Sequence, residues 1–169
     1  GDELVRAVEA ANTAVYEKAQ TDDAYEKMGT TLVGARFSPN KREVYIVNVG
    51  DSRCYRARSG VLEQMTTDHT LGVMLGIKGR EAGRLTRAVG IEPVVEVDLM
   101  TDTPRVGDHY LVCSDGLTRM VPDETILSVL SDENDLEKAA QKLIVTANDL
   151  GGRDNITVVL LRVLDPTGA

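Results

Sequence analysis

The stretch YLVCSDGLTRM, residues 110–120, decides how the rest of the chain is interpreted. Its first four residues are apolar and typical of a buried β-strand, and this run ends abruptly in Ser114, Asp115 and Gly116. Glycine allows a sharp backbone turn at a place where a side chain would be an obstruction. The pattern therefore predicts a rigid strand that presents a carboxylate at its end.

Three other segments have the apolar periodicity of amphipathic helices. The first is predicted to begin with Asp2 as its N-cap, the second begins at Pro122, and the third ends at Gly151. The apolar positions are Leu4, Val8, Ala11 and Val15 in the first helix, and Leu136, Ala140, Leu143, Ala147 and Leu150 in the third.

Strand-like segments fill most of the remaining chain, and turn residues separate them. The last one, ITVVLLRVL, is apolar on both alternating faces apart from Arg162, so both faces must be covered. Two stacked sheets with helices outside them give this cover. We therefore predict an α/β (α+β) fold, a four-layer α-β-β-α sandwich of two mainly antiparallel sheets. The predicted strands are 30–38, 43–50, 53–59, 61–66, 94–100, 109–114 and 156–164.

Composition narrows the functional classes. The 169 residues have a formal net charge of −8 and no basic stripe, which argues against a nucleic-acid partner. No apolar run is long enough for a membrane span and no signal peptide is recognisable, so we expect a cytoplasmic protein without a membrane partner. Cys54 and Cys113 lie in strand-like runs, and we expect both to be buried thiols rather than a disulfide.

Three aspartates share one kind of position, where a strand-like run meets a turn that contains glycine. They are Asp51 in NVGDSR, Asp115 in CSDGL and Asp154 in GGRDNIT. Each alone is explained as a turn former. If the fold brought two of them about 4 Å apart, they would repel by roughly 4 kcal/mol at an effective dielectric constant near 20. A proton or a cation would then have to offset that repulsion.

Six stretches, which occur in the order that the family has, resemble the metal-dependent protein serine/threonine phosphatases of the bacterial type 2C family. The resemblance spans most of the chain, and it implies the sandwich fold predicted above. It also implies hydrolysis of phosphoserine and phosphothreonine in a phosphorylated protein substrate, by a water molecule that a metal ion activates. The stretches are MGTTLVGA (28–35), VGDSRCY (49–55), TTDH (66–69), LTRAVG (85–90), GDHYLVCSDGLT (107–118) and GGRDNITVV (151–159).

The resemblance also implies a set of site residues. Asp115 and Asp154 would bind Mn²⁺ or Mg²⁺ in a two-metal centre, and Asp51 would line a neighbouring site for a possible third ion. Asn155 and Gly116 would lie just behind these ligands, with Asn155 orienting its neighbour. The chemistry suits the residue types, because hard divalent ions favour carboxylate oxygens. Two such ions about 3.5–4 Å apart can clamp a phosphoryl oxygen.

The chain departs from the family pattern in two places. Residues 1–27 contain neither the arginine motif nor the Asp-Gly-x-Gly-Gly turn that supply the family's phosphate-binding arginine and bridging aspartate. We therefore expect residues 1–169 to be the larger, C-terminal part of a single phosphatase-like domain, without its N-terminal strands. An upstream segment or a second chain would complete the sheets. The segment 71–84 is also much shorter than the family's flap.

Two alternatives remain open at this point. Without the bridging aspartate, the chain could be a catalytically inactive pseudo-phosphatase or a regulatory binding module. Cys113 and Arg119 also have the C-x5-R spacing of thiol-based phosphatases. That mechanism is disfavoured, because Asp115 inside the loop would repel a phosphate and raise the pKa of the thiol. His69 is interpreted as part of a turn into the segment 71–84, rather than as a general acid.

Overall fold

The computed structural model describes residues 1–40 and 42–165, which form seven strands and five α-helices with short 3₁₀ turns. The strands are β1 (Leu32–Phe37), β2 (Val44–Val49), β3 (Arg53–Arg58), β4 (Val61–Gln64), β5 (Asp98–Asp102), β6 (His109–Cys113) and β7 (Val158–Arg162). The helices are α1 (Asp2–Ala19), α2 (Leu71–Leu75), α3 (Asp115–Thr118), α4 (Asp123–Asp132) and α5 (Leu136–Asp149).

The strands form two antiparallel sheets. One has the order β1-β2-β5 and the other has the order β4-β3-β6-β7. Helix α1 packs on the outer face of the three-stranded sheet, and helices α4 and α5 pack on the outer face of the four-stranded sheet. The predicted four-layer α-β-β-α sandwich is therefore confirmed.

Alternation along β6 shows how the layers are held together, since neighbouring side chains point to opposite faces. Tyr110 is fully buried between the two sheets, where its ring meets Phe37 edge-on at a centroid distance of 5.6 Å. Leu111 points the other way and packs with Ile126 of α4 and Leu143 of α5. A single strand thus contributes to two separate hydrophobic layers.

Helix α1 is tied to a distant loop by one buried side chain. The amide nitrogen of Asn12 donates to the carbonyl of Glu92 at 3.0 Å, and its amide oxygen accepts the N–H of Gly90 at 2.7 Å. Gly90 has φ +88°, and a Cβ there would lie 2.2 Å from Val15 Cγ1. The glycine that ends LTRAVG is therefore required by the close approach of this loop to α1.

The start of α1 differs from the prediction. Gly1 is the N-cap and Asp2 is the first helical residue, so the assignment of Asp2 as N-cap was wrong. Its carboxylate still lies in the first turn, where it interacts favourably with the helix dipole. None of the helices in the described ranges is both long and apolar enough to cross a bilayer.

The predicted strand at 94–100 is displaced toward the C-terminus, since β5 comprises only Asp98–Asp102. Strand β5 pairs with β2, and this pairing ends where Asn48 lies opposite Asp98. Just beyond that point Gly50, with φ +110°, turns β2 away. Residues 94–97 therefore have no strand partner.

The last strand is shorter than predicted, at Val158–Arg162, and it lies at the edge of its sheet. Its two faces are apolar as expected, with Leu160 packed toward the helices and Leu161 packed toward the other sheet. Val159, on the same face as Leu161, is 52% exposed. The three-stranded sheet thus leaves part of this inner face uncovered.

Hydrogen bonds join the loop that follows β6 to the loop that precedes β7. The Ser114 N–H donates to the Thr157 carbonyl at 3.1 Å, and the Thr157 N–H donates to Ser114 Oγ at 3.0 Å. Ser114 Oγ donates in turn to the Asn155 carbonyl at 3.0 Å. A Cβ on Gly116 would lie only 2.3 Å from the Asn155 oxygen, so the two backbones touch.

The substitution Gly116→Ala is expected to push these two loops apart, because the added methyl group would overlap the backbone carbonyl oxygen of Asn155, which cannot move as a flexible side chain could. We expect the free energy of unfolding to fall by about 1–3 kcal/mol, the usual cost of overpacking. Chemical denaturation measures this change. The control is Gly34→Ala in β1, where the nearest atom to a new Cβ is Val47 Cγ2 at 3.7 Å. Equal denaturation midpoints for the two variants would show that the contact is unimportant.

Candidate functional site

Asp51 lies in the turn that carries the chain from one sheet to the other. Strands β2 and β3 are consecutive in sequence but belong to different sheets, and residues 50–52 connect them. A Cβ on Gly50 would lie 2.4 Å from Thr31 Cγ2, so the turn requires glycine. Asp51 itself is buried, with 8% of its surface exposed. The crossing therefore places a carboxylate at the end of β2, as the sequence predicted.

His69 holds the peptide that precedes Asp51. Its backbone N–H donates to the Gly50 carbonyl, and its Nδ1 accepts the Gly50 N–H, both at 3.0 Å. On the other side of the ring, Nε2 lies 3.1 Å from both Asp98 Oδ2 and Arg87 Nη1, so the imidazole is fixed from two sides. His69 is thus a buried positioning residue, and its interpretation as part of a turn missed this role.

Asp115 is the first residue of α3, directly after β6. One helical turn later, Arg119 places Nη2 2.7 Å from Asp115 Oδ2 and 3.3 Å from Asp51 Oδ2. The fold therefore brings Asp51 and Asp115, hereafter the acid pair, to one guanidinium nitrogen. The i,i+4 spacing of Asp115 and Arg119 is the sequence signal for this ion pair, which the C-x5-R reading of Cys113 and Arg119 did not reveal.

The electrostatics of the acid pair favour an additional positive charge. Burial and the charge of Asp115 raise the pKa of Asp51, while the Arg119 guanidinium lowers it, and the net direction is upward. Arg53 is close to Asp51 in sequence, but it pairs with Asp68 instead. Its Nη2 donates to the Asp68 carboxylate at 2.7 Å, and its Nε donates to the same carboxylate at 2.9 Å. Within the described part of the chain, the single charge of Arg119 thus leaves the acid pair short of positive charge.

Asp154 lies at the same end of the molecule but outside the acid pair. It is exposed, and its Oδ1 accepts the Asn155 N–H at 2.8 Å. It lines a cavity of about 260 Å³ together with Gly116 and Arg119, whereas the acid pair lines a separate cavity of about 270 Å³. Within residues 1–40 and 42–165, no group of three His, Cys, Asp or Glu side chains is arranged to hold a metal ion.

The donor set fits a hard divalent ion in kind, since every candidate ligand is a carboxylate. Two of these carboxylates already converge on a cationic nitrogen, so a positive charge is favoured at that point. Asp51 and Asp115 are the residues that would hold an ion there. Asp154 lines the adjacent cavity, next to Gly116.

Both cysteines are withdrawn from solvent. Cys113 is 2% exposed at the end of β6, and Cys54 of β3 is fully buried. Both are free thiols, so the prediction of buried, unpaired cysteines is confirmed. Burial raises the pKa of each thiol to about 12. A thiol of this kind is the opposite of an activated nucleophile.

Several known proteins resemble this chain in sequence. The sequence profile of the Stage II sporulation protein E (SpoIIE) family matches residues 1–164. A serine/threonine phosphatase, Stp, of Listeria welshimeri is 37% identical over 168 residues, which is 94% of this chain and 66% of that protein. The serine/threonine protein phosphatase PstP of Mycobacterium tuberculosis is 38% identical over 179 residues, which is 98% of this chain and 34% of that protein.

A solved structure extends the likeness to three dimensions. The catalytic domain of the serine/threonine protein phosphatase PstP, in complex with two manganese ions, superposes with a TM-score of 0.88 at 39% identity. The superposition covers 97% of this chain and 71% of the PstP catalytic domain. The chain spans just under two thirds of the Listeria relative and about one third of the mycobacterial one. By sequence profile, by identity and by fold, it belongs to the bacterial family of type 2C protein serine/threonine phosphatases.

Proposed function

We propose that the protein removes phosphate from phosphoserine and phosphothreonine in protein substrates, with Mn²⁺ or Mg²⁺ as its cofactor. The observation that carries this proposal is the convergence of Asp51 and Asp115 on one cationic nitrogen at the ends of β2 and β6. The relatives named as serine/threonine phosphatases support the reaction, and the manganese ions bound to the PstP domain support the cofactor.

In this proposal Asp115 and Asp154 are metal ligands and Asp51 lines the neighbouring ion site. Divalent ions held there would polarise the phosphoryl group and lower the pKa of an attacking water molecule. The chain's own contribution is to fix the carboxylates at the ends of rigid elements. Asn155 orients Asp154 through its N–H, and Gly116 allows the loops that carry Asp115 and Asp154 to touch.

The proposal concerns the whole protein, because residues 1–27 hold neither the phosphate-binding arginine nor the bridging aspartate of the family. We propose that residues 1–169 are the larger part of one phosphatase-like domain, which a further segment or a second chain completes. A cytoplasmic setting is also proposed, and the two free thiols are consistent with a reducing compartment.

A regulatory binding module without turnover is the second candidate. The observation that favours it is that the described residues do not assemble three metal-ligating side chains into one group. Such a module would keep the fold and the acid pair but release no phosphate. The two candidates therefore differ in a single measurement.

Phosphate release from a phosphothreonine peptide should depend on Mn²⁺ and should stop when a chelator is added. The substitution Asp115→Asn should lower the rate by about 100-fold or more. Removing a residue that only hydrogen-bonds to a metal ligand already lowers activity by about 10–100-fold, and Asp115 is proposed to be a ligand itself. Initial rates of phosphate release by the whole protein measure both effects.

The matched control is Asp23→Asn, which removes an exposed carboxylate from the 3₁₀ turn after α1 and should not change the rate. Release that continues in chelator would contradict the metal-dependent reaction. Complete absence of release, with Mn²⁺ present, would favour the binding module.

The thiol mechanism predicts a reactive Cys113, whereas the structure predicts an inert one. With a pKa of about 12, only roughly one thiol in 10⁵ is ionised at neutral pH. We expect neither cysteine to react with Ellman's reagent in the folded protein and both to react after denaturation. The variant Cys113→Ala, measured beside Cys54→Ala, assigns any signal to one thiol. Rapid reaction at Cys113 alone in the folded state would revive the thiol mechanism.

A further inference from the structure

Arg119 stands between the candidate metal ligands. Among residues 1–40 and 42–165, it is the only one that lines both cavities, one with Asp51 and Asp115 and the other with Asp154. Its Nη2 atom contacts both members of the acid pair. A divalent ion that bound both carboxylates would occupy the same place as this nitrogen.

The Arg119 side chain can leave that place without disturbing the core. It is 50% exposed, whereas the side chain of Asp51 is 11% exposed. On the solvent side its guanidinium lies beside Gly83, where an added Cβ would be 3.7 Å from Nη2. The carboxylates are therefore held by the fold, while the arginine that partly offsets their charge is held mainly by the carboxylates.

We propose that Arg119 is an internal counter-ion that competes with divalent cations for Asp51 and Asp115. Without a cation it offsets the repulsion within the acid pair, and it raises the cation concentration at which the site fills. The inference rests on the proposed assignment of these aspartates as cation ligands, and it does not require turnover.

The test is a Mn²⁺ titration of the chain at low ionic strength, followed by calorimetry and by the electron paramagnetic resonance signal of free Mn²⁺. The substitution Arg119→Ala should lower the Kd for Mn²⁺ by about fivefold, the change that corresponds to an exposed ion pair of about 1 kcal/mol. The difference between the variants should shrink as salt is added, because salt screens the competing charge.

Two further variants separate local competition from net charge. Arg84→Ala removes the same charge from an exposed arginine whose ion-pair partner is Glu81, so its Kd should equal that of the original chain. Arg119→Gln keeps a polar but shorter side chain without the charge, and it should behave as Arg119→Ala does. Adding Asp115→Asn to Arg119→Ala should abolish the gain.

The outcomes distinguish this inference from the proposed function. An unchanged Kd for Arg119→Ala, an equal gain for Arg84→Ala, or no Mn²⁺ binding by any variant would overturn the counter-ion role. Each of these results is compatible with phosphate release by the whole protein. Tighter Mn²⁺ binding by Arg119→Ala, together with no phosphate release by the whole protein, would support the counter-ion role and remove the phosphatase proposal.

Discussion

The crossing of the chain from one sheet to the other at residues 50–52 is the constraint on which the site depends. Strand β2 ends in the three-stranded sheet and β3 begins in the four-stranded sheet, so a few residues must span the gap between layers. Gly50 makes the turn possible, and His69 holds both polar groups of Gly50. Asp51 therefore has little freedom to move away from Asp115, even though the two carboxylates repel.

A partly buried pair of like charges is tolerable only when something compensates for it. In this chain the compensation is supplied by a neighbouring arginine that is itself half exposed. Arg53, although it is only two residues from Asp51, is held by Asp68 and by the hydroxyl of Tyr55. The two arginines thus have different roles: one belongs to a fixed network, and the other is the exposed partner of a site that the fold has made acidic.

Much of the fold could be predicted from local pattern. Period-2 alternation and the apolar run at 156–164 correctly indicated stacked sheets with helices outside. Asp51 and Asp115 lie at strand ends as predicted, whereas Asp154 lies in the loop before β7. The start of β5 could not be predicted, because it is set by the point at which β2, a strand distant in sequence, ends. The same is true of His69, whose role depends on a hydrogen bond to Gly50, nineteen residues earlier. Periodicity carries no information about such contacts.

The burial of both thiols bears on how the protein would respond to oxidation. Oxidants such as peroxide attack thiolates that are ionised and accessible, and they convert them to sulfenic acid and then to less reversible states. The chain has two cysteines, and both are buried and almost entirely protonated at neutral pH. Oxidative stress inactivates enzymes that depend on a reactive cysteine, but this part of the molecule has no accessible thiolate for an oxidant to attack.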